Sequence, residues 1–125
     1  MPSSQRNLLG QSIEPCSTHP MTGWFRNGCC ETDENDAGRH VVCIQATAEF
    51  LAFSRQRGND LSTPRPGFPG LRPGDRWCVC AARWKEAHDA GVAPPVFLAG
   101  THESAVEVCD REALLSHAVD SHNLN

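Results

Sequence analysis

Long apolar runs are missing from this chain. The longest unbroken stretch is the six residues from Trp77 to Ala82, far short of the about 20 that a membrane-spanning helix needs. A surplus of positive charge is missing too. Lysine and arginine number 11 against 15 acidic residues, for a net charge of −4, so no basic field draws in a nucleic-acid backbone. Residues 1–15 (MPSSQRNLLGQSIEP) hold no apolar core of an export signal, and we therefore expect a cytoplasmic protein. No serine nucleophile elbow, phosphate loop or HExxH zinc motif is present, and no 20–50-residue repeat.

Cysteine is abundant instead: seven residues in 125, beside six histidines. With 39% apolar residues, the chain has the material for one modest core and the length of one domain, 1–125. An odd cysteine count without an export signal argues against a disulfide framework. In a reducing compartment the thiols are expected to stay free, bind a metal, or carry redox or sulfur chemistry. Cys109, and less firmly Cys16, read as buried small hydrophobes. The clustered doublets Cys29-Cys30 and Cys78-Val79-Cys80 are harder to attribute to packing.

Residues 1–39 are rich in turn signals. His40 to Ala46 reads as a strand. Thr47 can cap a helix over Ala48 to Arg57, with Glu49 in its first turn and Gly58 past its end. Gly58 to Asp75 holds four glycines and four prolines in eighteen residues, which excludes a helix or central strand. We expect it to be an ordered loop, with Phe68 and Leu71 as buried anchors and Arg65 facing a pocket. Arg76 to Cys80 is a short strand and Ala81 to Ala90 a helix closed by Gly91. Ala93 to Ala99 reads as an edge strand, Thr101 to Val108 as a helical turn, and Asp110 caps a helix over Arg111 to Val119. The expected fold is a small α+β domain: a short few-stranded sheet, about three helices and long ordered loops. Its core spans about 6–119, with frayed ends.

Several blocks carry a resemblance: Glu14-Pro-Cys16, TGWFRNGCC at 22–30, RGNDLSTPRP at 57–66 and PGLRPGDRWCVC at 69–80. Arg83-Trp-Lys-Glu86, Gly91-Val-Ala-Pro-Pro95 and Thr101-His-Glu103 extend it. Over about residues 6–119 the chain resembles a family of small bacterial proteins known as a domain of unknown function. The resemblance implies a free-standing single-domain cytosolic protein and no particular activity. Cys109 lies outside these blocks.

Cys80 is the strongest single candidate. It stands at a strand-to-helix junction, where the helix dipole and backbone N–H groups stabilise a thiolate. Arg76 and Arg83 would add to this, and Cys78, two residues earlier on the same strand face, could resolve or co-ligate it. Packing under Trp77 and Trp84 is the competing reading. Cys29 and Cys30 form a vicinal pair suited to transient disulfide or persulfide chemistry. A zinc or iron site would need four ligands from Cys29, Cys30, Cys43, Cys78 and Cys80, with His40 in reserve, although the double Cys-x₂₋₄-Cys signature is missing. His102, beside Glu103 after a predicted strand, is a candidate general base. In the Pro-rich loop, Asn59, Asp60, Arg65 and Arg72 could bind an anion, or Asp60 and Arg65 could pair to hold the loop.

Three functions follow. The first is a sulfur-transferring or thiol-dependent enzyme, with a small anionic molecule or a sulfur donor or acceptor as partner. The second is a structural metal module tying the N-terminal third to the CxC strand. The third is a ligand-binding domain with inert buried cysteines. Neither nucleic acid nor membrane is an expected partner.

Overall fold

Alternation of side chains across two paired strands decides where everything else goes. The computed structural model describes residues 4–120. Its elements are β1 (His40–Gln45), α1 (Ala48–Gln56), β2 (Arg76–Cys80), α2 (Ala81–Asp89), 3₁₀ turns at Leu98–Gly100 and Glu103–Glu107, and α3 (Arg111–Ser116). The fold is α+β, with three helices and a two-stranded antiparallel sheet of β1 against β2. The register places Val42 opposite Val79, Cys43 opposite Cys78 and Ile44 opposite Trp77, and an irregularity between His40 and Val42 brings His40 opposite Cys80. Because successive residues face opposite sides, Val42, Ile44, Trp77 and Val79 join the main core with Phe50, Trp84, Leu98 and Leu114. Cys43 and Cys78 instead meet Ile13, Cys16 and Cys30 in a second, smaller cluster.

Local chemistry sets the element ends. Thr47 Oγ1 accepts from the Phe50 N–H at 3.1 Å and opens α1 as predicted. β2 passes into α2 without a loop: Cys80 is the last strand residue and the helix N-cap. The buried Trp84 anchors α2, its indole N–H donating to the Pro94 carbonyl at 3.2 Å.

The predicted third strand does not form. Pro94 and Pro95 cannot donate to a ladder, and the segment runs beside β1 through two backbone bonds, Gln45 to Pro95 and Phe97 to Cys43. The Leu98 and Ala99 N–H groups turn away to the Asp120 carboxylate. α3 stops at Ser116, short of Val119, because the Val119 N–H donates to the Val96 carbonyl.

The N-terminal segment is irregular but tied down. Gln5 exchanges two hydrogen bonds with the Thr32 backbone, and the Arg6 carbonyl accepts from Glu103. Gln5, just outside the expected core, is thus hydrogen-bonded to the rest of the chain. For residues 1–3 and 121–125 the expected fraying lies outside the described residues.

The largest correction concerns the cysteines. Disulfides join Cys16 to Cys43 and Cys30 to Cys78. Four of the seven are thus not free thiols, and only Cys29, Cys80 and Cys109 remain so. The odd count left room for this, because pairing depends on sulfurs meeting in space and not on parity. Two cystines tie the irregular N-terminal third to the sheet, the role that the metal reading assigns to an ion.

Gly58–Asp75 has no helix or strand, yet it is closed at both ends. Ser54 Oγ donates to the Asn59 carbonyl at 2.6 Å, and Ala46 exchanges backbone bonds with Gly74 and Asp75. Leu61 and Leu71 are buried, and their backbones bond at 2.7 Å. Phe68 is half-buried, edge-on to Trp77 at 5.2 Å.

Candidate functional site

A cavity of about 620 Å³ runs along β2 between the Trp24–Arg26 turn and the Gly/Pro-rich loop. Four consecutive β2 residues, Trp77 to Cys80, line it. Consecutive strand residues face opposite ways, so the cavity follows the open edge of the strand and not a single face. Trp24, Arg26 and His40 line it as well, together with Asn59, Leu61, Arg65 and Phe68 of the Gly/Pro-rich loop and Arg83 of α2.

Cys80 brings a free, half-buried thiol to this space. Opposite it in the register stands His40, and cross-strand partners hold their Cβ atoms about 5 Å apart. His40 Nδ1 lies 2.7 Å from Asp36 Oδ1. Since an ionised carboxylate only accepts, Nδ1 carries a proton, and in the neutral ring it is Nε2 that has the lone pair. Trp24 stacks on the imidazole at 6.0 Å, nearly parallel.

Asp36 is shielded and well satisfied. Its carboxylate has no exposed surface and also accepts from the His40 N–H and the Thr32 hydroxyl, both at 3.0 Å. Burial pushes its pKa up, but the His40 and Thr32 hydrogen bonds outweigh that and hold it below the ordinary carboxylate value.

Two lining guanidiniums have no carboxylate partner among the described residues. Arg26 donates to the Gly23 carbonyl at 2.7 Å and lies 5.2 Å over the Trp77 ring. Arg65 donates to the Asp60 carbonyl at 3.0 Å and lies 5.3 Å over Phe68. Carbonyls and rings orient these cations without neutralising them. Arg83 does have a partner, Glu86 at 3.3 Å.

The sequence-derived candidates separate against this geometry. Cys80, Cys78, Asn59 and Arg65 line the cavity together, as does Arg83. Cys78 and Cys30 are bonded to one another, so neither resolves Cys80 as a thiol, and the vicinal Cys29-Cys30 pair cannot act as a dithiol while that bond stands. Cys43 is held by Cys16. The five-cysteine metal set is therefore not assembled: Cys30, Cys43 and Cys78 are in disulfides, while Cys80 faces the cavity and Cys29 stands outside its lining. Burial, then Glu31, raises the Cys29 pKa.

His102 is not part of the cavity lining. It is buried, and its Nδ1 accepts from the Ser104 N–H at 3.0 Å to cap the second 3₁₀ turn. Asp60 folds the loop on itself, its Oδ2 accepting from the Thr63 hydroxyl at 2.6 Å and its Oδ1 from the Ser62 N–H at 3.0 Å. These bonds, Thr63 first, hold its carboxyl far below the usual range. Arg65 meets the Asp60 carbonyl and not its carboxylate. Arg72 is exposed and sits in a turn closed by Asp75, away from the lining. Arg76 stacks 3.7 Å over Phe97 and does not reach the lining. Cys109 is buried, with its pKa pushed up to about 11 by that burial.

Sequence reading missed Asp36, Trp24 and Arg26 and gave His40 only a reserve place. The one legible signal was the Asp36-to-His40 spacing of four residues at the entrance to a strand.

A family model described as an uncharacterized protein conserved in bacteria (DUF2237) matches residues 6–118. No curated protein matches the chain.

Proposed function

The chain belongs to that bacterial family, and we propose that it carries out thiol-dependent chemistry on a small anionic molecule, with Cys80 as nucleophile. The observation that carries this reading is the convergence, in one cavity, of a free thiol, a carboxylate-oriented imidazole and two guanidiniums that have no carboxylate partner among the described residues. His40 Nε2 accepts the Cys80 proton, and Asp36 holds the ring in the required tautomer and stabilises the imidazolium. The sulfur then bonds to the electrophilic centre, whose leaving group takes the proton back from His40. Arg26 and Arg65 orient the anionic group, and Trp24, Phe68 and Trp77 supply apolar walls. Sulfur relay through Cys78 and the Cys29-Cys30 pair is not part of this proposal, because Cys30 and Cys78 are joined.

Alkylation of the untagged protein tests it. Iodoacetate and iodoacetamide deliver the same electrophile with and without a negative charge. Cys80 is expected to favour iodoacetate, relative to Cys29 in the same molecule, by about tenfold, and Arg65→Ala to remove most of that preference. His40→Ala should slow Cys80 at neutral pH by about 10²-fold or more. Equal selectivity at Cys80 and Cys29, with no effect of His40→Ala, would leave an inert thiol in a binding pocket.

A further inference from the structure

Behind the cavity lies a second cluster of sulfurs that the proposed chemistry does not use. Cys43 and Cys78 are direct partners across the sheet, yet they are not bonded to one another. Each reaches out to a different loop, to Cys16 and Cys30. The two cystines are therefore stacked side by side. The Sγ atoms of Cys16, Cys30 and Cys43 all lie within 4.8 Å of one another, and Cys78 is bonded to Cys30. All four residues are at most 3% exposed, and Ile13 and Phe97 pack around them.

A tetrahedral tetrathiolate ion with metal–sulfur bonds of about 2.3 Å places its sulfurs about 3.8 Å apart. The sulfurs of Cys16, Cys30 and Cys43 already lie within 4.8 Å of one another; opening the two S–S bonds lets the bonded partners separate to that spacing, and Cys78, outside this set of three but bonded to Cys30, has the furthest to turn. Its ligands come from four separate places: two loops, β1 and β2. Closed cystines offer no thiolates, so the oxidised protein has no site here. We propose that reduction of both disulfides turns Cys16, Cys30, Cys43 and Cys78 into a site for one thiophilic divalent cation, zinc above others.

The exchange balances. Two molecules of a dithiol reductant each close to a cyclic disulfide and deliver two electrons and two protons, leaving four protein thiols. The cation then displaces four protons to give a dianionic centre. Soft sulfur donors in a tetrahedral set select zinc over hard cations. Phe97 carries the Arg76 guanidinium 3.7 Å over its ring, which puts a positive charge on the rim of the cluster. Access is provided by Cys78, which lines the cavity as well as belonging to the cluster. The staple between the N-terminal segment and the sheet thus survives reduction, with a metal in place of two covalent bonds.

Full-length untagged protein, reduced and freed of reductant under nitrogen, is titrated with zinc and then treated with iodoacetamide. Mass spectrometry counts the bound zinc and maps which cysteines react. We expect about one zinc per chain and none on the oxidised protein. Zinc should slow alkylation of Cys16, Cys30, Cys43 and Cys78 by about tenfold or more, while Cys29 and Cys80 react as they do without metal. If the reduced chain loses its far-ultraviolet dichroism, zinc is expected to restore it. Protection at Cys29 or Cys80 in place of these four, no uptake, or an unfolded reduced chain that zinc does not restore each overturns the proposal.

Discussion

His102 illustrates how burial redirects a titratable side chain from catalysis to structure. Its Nδ1 accepts the Ser104 N–H, a bond that only the neutral ring can make. Burial is the main cause of its lowered pKa; Arg39 adds to it, and Glu103 works against both. A folded-state pKa below the unfolded value means that the stabilisation is complete above about pH 6.5 and is lost as pH falls below it. The melting temperature of the native protein should therefore drop between pH 7 and pH 5 by a few degrees more than that of His102→Asn, whose amide oxygen keeps an acceptor but does not titrate. Parallel curves for the two proteins would assign the acid sensitivity elsewhere. Burial acts on two of the free thiols as well: it raises the pKa of Cys109 and, followed by Glu31, that of Cys29, which lowers the thiolate fraction of both at neutral pH.

At the scale of the element, the Gly58–Asp75 loop shows that order does not require regular structure. Its prolines narrow the unfolded ensemble, and the backbone closes on itself tightly enough that two glycines have very different neighbours. Gly70 has φ +80°, and a Cβ there would lie 2.6 Å from the Ser62 carbonyl oxygen and 3.1 Å from the Pro64 nitrogen. Gly67 has φ +77°, and a Cβ would meet nothing within 4 Å. Gly67→Ala is expected to cost about 1 kcal/mol, from the left-handed backbone alone. Gly70→Ala should cost roughly 2–4 kcal/mol, since backbone atoms must also move. Gly70→Ala should further weaken the iodoacetate preference at Cys80, because the displaced segment leads into Arg65. Chemical denaturation of the two variants measures the difference; equal losses would mean that the loop adapts freely.

At the scale of the whole molecule, the two disulfides decide how an irregular third of the chain stays attached to a small sheet. Cys16–Cys43 and Cys30–Cys78 close segments of 27 and 48 residues. Taken alone, such loops are worth about 3.5 and 4 kcal/mol through the entropy of the unfolded chain. The loops overlap, so their joint contribution is smaller than the two added, at about 5 kcal/mol or more. In the presence of a chelator, a reductant should lower the melting temperature by more than about 15 °C. A reduced, metal-free protein that melts within a few degrees of the oxidised one would show that the sheet and N-terminal segment hold without the staple. In the described residues no helix is long and apolar enough to cross a membrane, in keeping with the short apolar runs of the sequence.

The sequence by itself determined the elements whose signals are local. Thr47 and Gly58 bracket α1, short β-rich runs mark β1 and β2, and the prolines exclude regular structure from 58–75. Those signals act over a few residues, through capping, pleat and fixed φ, and need no knowledge of what lies across the fold. They also sufficed to put Cys80 at a strand-to-helix junction. What they could not supply is pairing between distant segments. Cys16 and Cys43 are 27 residues apart, and only the β1–β2 register together with the folded N-terminal loop brings four sulfurs into one cluster. The same register stands His40 opposite Cys80, while Asp36 reaches His40 through a turn whose shape depends on Thr32 and Gln5. Val96 was legible as extended, but not as stranded between β1 and the end of α3 with too few donors for a ladder. Those outcomes were decided by tertiary structure, because a disulfide, a hydrogen bond to a buried carboxylate and a cavity are all contacts between surfaces that only packing creates.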